Sequence, residues 1–303
     1  MHKIMMKELS DEQLLAELKS RIEQKKQSFV KLEEMNEELS KANQKLVESE
    51  QLKSNFLSNA RNEIINPLSS ILSISQSIAF SENTDLAQIQ KLASIIYTEA
   101  FDLDFQMNNI FASAEIEAGE ASCEYYNIDF VDLVEKQIDK FKNFALDKGL
   151  QLVLENGIND NAHNLKSDPS KIEMIVSNLI VNAINWTDEP GDIIIRILND
   201  GAKKVISVSD HGRGISKEDQ NIIFDRFKSI DPTVYTKNKG HGLGLSIVKA
   251  FAEILDGEIK LESASGKGST FSLIIADAPS GDEIMGSSEG GQDFLFDDST
   301  ELF

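Results

Sequence analysis

Asn178 and Asn182 lie four residues apart in the helix-like run Asp168–Thr187, so both amides share one helical face. A neutral amide oxygen suits a hard cation whose charge is already balanced by a bound anion. Asp210 directly follows the strand-like VISVS, where its carboxylate can accept a hydrogen bond. Gly212 and Gly214 beside it let backbone come close to a ring. Gly240, Gly242 and Gly244 open a further helix-like run. Glycines there present free N–H groups to phosphate oxygens. In the other half of the chain, Glu63 and Asn66 share a helical face by their three-residue spacing, and Asn66 could orient a water. Taken singly, D-x-G-x-G or G-x-G-x-G is a common turn, and an Asn pair can be a solvated helix face. Their order along one chain is what carries meaning.

The elements that must position these residues fall into two kinds. Leu9 to Lys53 contains no Pro or Gly and is rich in helix-forming Glu, Lys, Gln, Leu and Ala. Leu15, Leu18, Ile22, Phe29 and Leu32 form one heptad-like register, and Leu32, Met35, Leu39, Ala42 and Leu46 a second. The step between them reads as a stammer, and the whole as a dimeric coiled coil. The helix is expected to continue through Phe56–Leu72, bent at Pro67, and to turn near Ser81–Asp85. A second helix is expected over Leu86–Ala118, stopped by Gly119. Two such helices paired across a two-fold give a four-helix bundle. From Ile128 helical and strand-like segments alternate, as in an α/β sandwich. Helices are expected at VDLVEKQIDKFKNFALDKG, at DPSKIEMIVSNLIVNAINWT (Asp168 as N-cap, Pro169 in the first turn) and at HGLGLSIVKAFAEILDG. Strands are expected at QLVLEN, DIIIRILN, KKVISVSD, GEIKLES and STFSLIIA.

The chain has 303 residues, a hydrophobic content of 41% and a formal net charge of −21. That charge repels a phosphate backbone, so nucleic acid is not an expected partner. One cysteine, Cys123, rules out an intrachain disulfide. No apolar run reaches the ~18 residues that cross a bilayer, and the N-terminus turns charged too soon for a signal peptide, so a cytoplasmic location is expected.

The stretch Phe56–Leu72, FLSNARNEIINPLSSIL, resembles the phosphoacceptor segment of two-component sensor histidine kinases in Phe56, Leu57, Glu63, Ile64, Pro67 and Leu68. Asn62 stands where that family holds its phosphorylated His, and Arg61 where it usually has Ser. The amide nitrogen of Asn is conjugated with its carbonyl and is a very poor nucleophile. The histidines are His2, His163, His211 and His241, and none lies near position 62. The second half resembles the GHKL-type ATP-binding domain of histidine kinases, DNA gyrase, a class of heat-shock chaperones and MutL proteins. That likeness rests on Asn178–Ala183, Asp210–Ile215, Ile223–Phe227, Gly240–Leu245 and the closing Gly266–Phe271, and together with Phe56–Leu72 the resemblance to histidine kinases spans roughly Ser54 to Ala276.

The resemblance implies the cofactors ATP and Mg. Asn182 would coordinate the Mg and Asn178 support it. Asp210, Gly212, Gly214, Gly240, Gly242, Gly244 and Thr270 would bind the nucleotide, and residues 228–239 would form a lid. The family commonly has Lys or Arg where Asn185 stands, so one phosphate contact is expected to be missing. Glu63-Ile64-Ile65-Asn66 keeps the family's E-x-x-[TN] arrangement, used there to dephosphorylate a partner receiver domain. The expected parts are a coiled-coil helix (1–53), a dimerisation hairpin (54–122), an ATP-binding domain (123–276) and an acidic, disordered tail (277–303). Several functions stay open: a nucleotide-controlled phosphatase of a response-regulator receiver, a heterodimer partner of another histidine kinase, a non-enzymatic pseudokinase scaffold, or an ordinary kinase with a mutated acceptor. Arg61 beside Asn62 argues for natural divergence. Phe294, Leu295, Phe296, Leu302 and Phe303 among acidic residues could form a short docking motif, against the plainer reading of a solvated tail.

Overall fold

A computed structural model of the chain describes residues 11–80, 85–158, 163–187, 190–226 and 242–278. The expected lid at 228–239, Gly240 and the apolar tail residues lie outside the described residues. The chain divides into two compact units, residues 1–55 and 56–303. The first is the N-terminal stretch of helix α1 (Asp11–Phe80). Its apolar stripe is open: Leu15, Ile22, Phe29, Leu32, Met35, Leu39 and Leu46 are 57–67% exposed.

In the second unit the rest of α1 includes Pro67 inside the helix. Helix α2 (Leu86–Ala118) has both expected ends. The Asp85 carboxylate accepts from the Gln88 N–H at 2.7 Å, and Gly119 takes the left-handed conformation at φ 70°. Both boundaries were legible because capping is a local affair of three or four residues.

The α/β half contains β1 (Tyr126–Asp129), α3 (Phe130–Asp147), β2 (Leu150–Asn156), β3 (Asn164–Ser167), α4 (Pro169–Trp186), β4 (Gly191–Asp200), β5 (Lys203–Asp210), α5 (Gly244–Ile254), β6 (Glu258–Ser263) and β7 (Ser269–Ala276). The main sheet runs β2-β4-β5-β7-β6. Its β2–β4 pair is parallel and the other pairs antiparallel. Helix α4 packs between α3 and α5. Alternation in β4 shows which face the core takes: Ile193, Ile195 and Ile197 are fully buried, while Arg196 between them is exposed. Each such isoleucine contributes roughly 1.5–3 kcal/mol by leaving water.

The strands β1 and β3, which pair antiparallel in a small separate sheet, were not read from the sequence. Four-residue strands are too short to show a period of two. Helix α5 starts at Gly244, three residues after His241, where the expected helix begins. Gly242 just before it has φ 69°, which an α-helix does not accommodate. Past β7, the Ala278 N–H donates to Lys166 O and Asp277 Oδ1 accepts from the Lys166 N–H, so these two residues are tied to β3.

Helix α2 is joined to the α/β half by an aromatic contact. The Phe101 and Phe105 rings meet Phe141 of α3 edge-on, with centroids 5.4 and 5.9 Å apart.

Candidate nucleotide site

Helix α4 carries the first motif, and its frame is firmly set. Asp168 caps it by accepting from the Lys171 N–H at 3.1 Å. The same carboxylate takes the Lys171 ammonium at 2.6 Å and the Glu124 N–H at 3.0 Å. At the other end the Thr187 hydroxyl donates to Ala183 O at 2.7 Å. On this rod, Asn178 is buried at 5% exposure. Its Nδ2 donates to Asn109 Oδ1 at 2.8 Å and to Met174 O at 2.9 Å. Asn109, on α2, is itself 4% exposed. A Cβ on Gly244 would fall 2.5 Å from Asn178 Oδ1, so the start of α5 lies directly against the first motif. Asn182, one turn on, is half-buried, and its side chain has no hydrogen-bond partner among the described residues. Asn185, a further turn on, accepts from the Lys148 ammonium at 2.9 Å.

Asp210 ends β5 and is 7% exposed. Its Oδ1 accepts from the Gly212 N–H at 2.9 Å and the Ser269 N–H at 3.2 Å. Burial pushes this carboxyl above the ordinary range, and the two backbone donors pull it only partly back. The loop after it is wedged between elements on both sides. A Cβ on Gly212 would lie 1.8 Å from Trp186 O, and one on Gly214 would lie 2.0 Å from Ala264 O. A Cβ on Gly268 would lie 2.0 Å from Asp210 O. Gly214 and Gly268 also have φ of 64° and 78°. Gln220 Nε2 secures the loop's far end by donating to Ile215 O and Ser263 O at 3.1 and 3.0 Å. Thr270 pairs with Ser209 across β5 and β7, hydroxyl to hydroxyl at 2.9 Å.

The indole of Trp186, at the end of α4, lies under the Arg213 guanidinium, 3.8 Å from the ring centroid. Phe224 of the third motif packs edge-on against Phe271 at 6.3 Å, so it does belong to the core margin. Phe227 lies outside the described residues.

The structure therefore places Asn178 and Asn182 on α4, Asp210 at the end of β5, Gly212 and Gly214 in the loop after it, Gly244 at the start of α5 and Thr270 on β7, all in one α/β domain. Of the remaining expected residues, Gly242 immediately precedes α5. Asn62 and Glu63 lie in helix α1, though their side chains fall outside the described residues. Asn66 is exposed on the same helix. Asn109, Lys148 and Ser269 went unread, because each acts through a contact at least 37 residues away in sequence. The donor set fits a magnesium-bound nucleotide. Asn182 offers an amide without a hydrogen-bond partner among the described residues. Asp210 Oδ1 is held by two N–H groups, which leaves Oδ2 for a ligand's amino group.

The family model described as histidine kinase-, DNA gyrase B- and HSP90-like ATPase matches residues 167–279. The sensor histidine kinase GacS of Pseudomonas protegens is 32% identical over 86% of this chain. The circadian input-output histidine kinase CikA of Synechococcus elongatus is 28% identical over 74% of it. The chain spans only 29% and 30% of the lengths of these two relatives. The fold is shared with full-length ShkA, solved in complex with AMPPNP, at a TM-score of 0.51 and 22% identity, covering 76% of this chain and 46% of that one. No helix among the described residues is long and apolar enough to cross a membrane. On the ATPase match and the long alignments to sensor kinases, this chain belongs to the two-component histidine kinase family and carries its GHKL-type ATPase domain.

Proposed function

We propose that this chain is a cytoplasmic, nucleotide-binding signalling module that does not phosphorylate itself and acts on the receiver domain of a response regulator. The observation that carries the proposal is the buried Asn109–Asn178 hydrogen bond. It ties the helix face assigned to Mg and phosphate directly to α2 of the hairpin. A nucleotide that engages Asn178 and Asn182 thereby biases where α2 sits, and occupancy becomes a mechanical signal.

In this reading Asn182 would hold a magnesium ion, Asp210 Oδ2 would accept from the adenine amino group of ATP, and the Gly242–Gly244 segment would offer N–H groups to its phosphates. Asn62 provides no nucleophile for the γ-phosphoryl group. Asn66 of the hairpin orients a water toward the acyl phosphate of a docked receiver. Water oxygen bonds to phosphorus, the aspartyl oxygen leaves, and inorganic phosphate is released. The exposed apolar residues Leu68, Leu72 and Phe111 support pairing of the hairpin with a second copy or with another histidine kinase as a four-helix bundle, and the open stripe on α1 supports a coiled coil. The second reading is a scaffold with no activity of its own. The residue Asn62 favours it, since the same bundle could dock partners without chemistry.

Calorimetry with Mg-ATP and Mg-ADP tests the core of the proposal, with Asp210→Asn and Asn182→Ala as controls. Binding that both changes abolish is the expected result. Absence of binding at millimolar nucleotide overturns every nucleotide-dependent version. Loss of phosphate from a phosphorylated receiver, slowed by Asn66→Ala, separates the phosphatase from the scaffold.

A further inference from the structure

Lys148 sits where α3 ends. Its backbone N–H closes the helix by donating to Ala145 O, and the Gly149 N–H that follows donates to Leu146 O. Its ammonium reaches across to α4 and donates to Asn185 Oδ1 at 2.9 Å, while lying 5.5 Å from the Phe144 ring centroid. Asn185 follows Asn182 by three residues and Asn178 by seven, so all three share one face of α4. A cation has thus been brought, from another helix, onto the face that holds the metal and phosphate groups in the proposed nucleotide reading.

Electrostatics gives that placement a purpose. The triphosphate of ATP carries about four negative charges at neutral pH, and one Mg offsets two. The face itself supplies only neutral amides at Asn178, Asn182 and Asn185. Asp210, at the β5 end, is a carboxylate, and the chain as a whole carries −21. Lys171 is held by the Asp168 carboxylate at 2.6 Å, and Arg213 lies over the Trp186 ring. Lys148 is half-buried, and its four-carbon stem can swing the ammonium from an amide oxygen to a phosphate oxygen nearby. Its position at a helix C-terminus also favours positive charge there. We infer that Lys148 is a phosphate-binding residue of the nucleotide site, its ammonium held beside that site by Asn185.

This inference rests on the nucleotide reading above. The test measures binding of Mg-ATP, Mg-ADP and adenosine to the full chain by calorimetry, at low and moderate salt, for wild type, Lys148→Gln, Lys148→Arg and Asn185→Ala. Lys148→Gln is expected to weaken Mg-ATP about ten-fold, the loss of one charge-assisted hydrogen bond, and to leave adenosine unchanged. Lys148→Arg should recover most of the loss, and Lys148→Gln should flatten the salt dependence. Unchanged adenosine affinity also shows that the variant is folded. If wild type binds Mg-ATP and Lys148→Gln binds it equally well, the assignment of Lys148 fails while the nucleotide site stands. If Lys148→Gln weakens adenosine as much as Mg-ATP, Lys148 is a packing residue and the assignment fails. Wild type that binds none of the three overturns both readings together.

Discussion

Replacing Asn109 with Ala tests whether helix α2 and the α/β half are energetically coupled. In the native chain both protons of Asn178 Nδ2 are used, one on Asn109 Oδ1 and one on Met174 O. Asn109→Ala strands one of them at a site that is 5% exposed. An unsatisfied buried donor costs about 1–3 kcal/mol, and the retained Met174 bond puts this case toward 1. Asn178→Ala leaves Asn109 Oδ1 without that donor and also removes the Met174 bond, so it should cost about 2 kcal/mol. If the pair interacts as drawn, the double variant should cost less than the sum by roughly 0.5–1.5 kcal/mol. Urea unfolding of the four proteins reads this out. With a slope of about 2–3 kcal/mol/M, Asn109→Ala should lower the midpoint by roughly 0.3–0.5 M. Strict additivity, to within about 0.3 kcal/mol, would refute the coupling and with it the route by which nucleotide reaches α2.

Asp210→Asn should separate stability from binding. Burial raises the native pKa of this carboxyl above its unfolded value, so the native state keeps the proton longer. Its ionisation therefore opposes folding. The penalty is absent below the ordinary carboxylate range, grows as pH rises to the native pKa, and is then constant. Asn keeps an Oδ1 acceptor for the Gly212 and Ser269 N–H groups, so the variant without nucleotide should melt no lower than wild type at pH 7. That advantage should shrink in acid, and melting curves from pH 3 to 8 that show it growing instead would contradict the sign. Trp186 is the only tryptophan, so tryptophan emission reports on one indole. Arg213→Gln removes the guanidinium 3.8 Å from that ring and should change the emission while costing no more than about 1 kcal/mol. Identical spectra would show that the stack is not populated in solution. Cys123 donates its thiol to Ile254 O and has its pKa raised by burial, so alkylation near neutral pH should be slower than for a free thiol and should accelerate on unfolding in urea.

What the sequence disclosed divides by range. Gly119 as the stop of α2 and Asp168 as the cap of α4 were readable because each acts within its own helix end. The order of motifs was readable because each is short. Asn178 could be placed on a helix face, yet its partner Asn109 lies 69 residues away and looks like any polar residue in NNIF. Lys148 reads as one more lysine in DKG, and only the packing of α3 on α4 brings it to Asn185. The small β1–β3 sheet left no trace because strands of four residues carry no period. Asp210 was found from its motif, but the Ser269 N–H that orients it comes from a strand 59 residues on.

The glycines that resemble a nucleotide signature have a second employer. A Cβ at Gly212, Gly214 or Gly268 would collide with main-chain atoms at 1.8–2.0 Å, whatever the pocket contains. Selection for a folded domain alone is enough to keep them. A descendant that had stopped using ATP would lose them late, long after it lost anything else. Asn182, whose side chain has no hydrogen-bond partner among the described residues, stands at the opposite pole. It is the position where disuse would be written first, and this chain still has asparagine there.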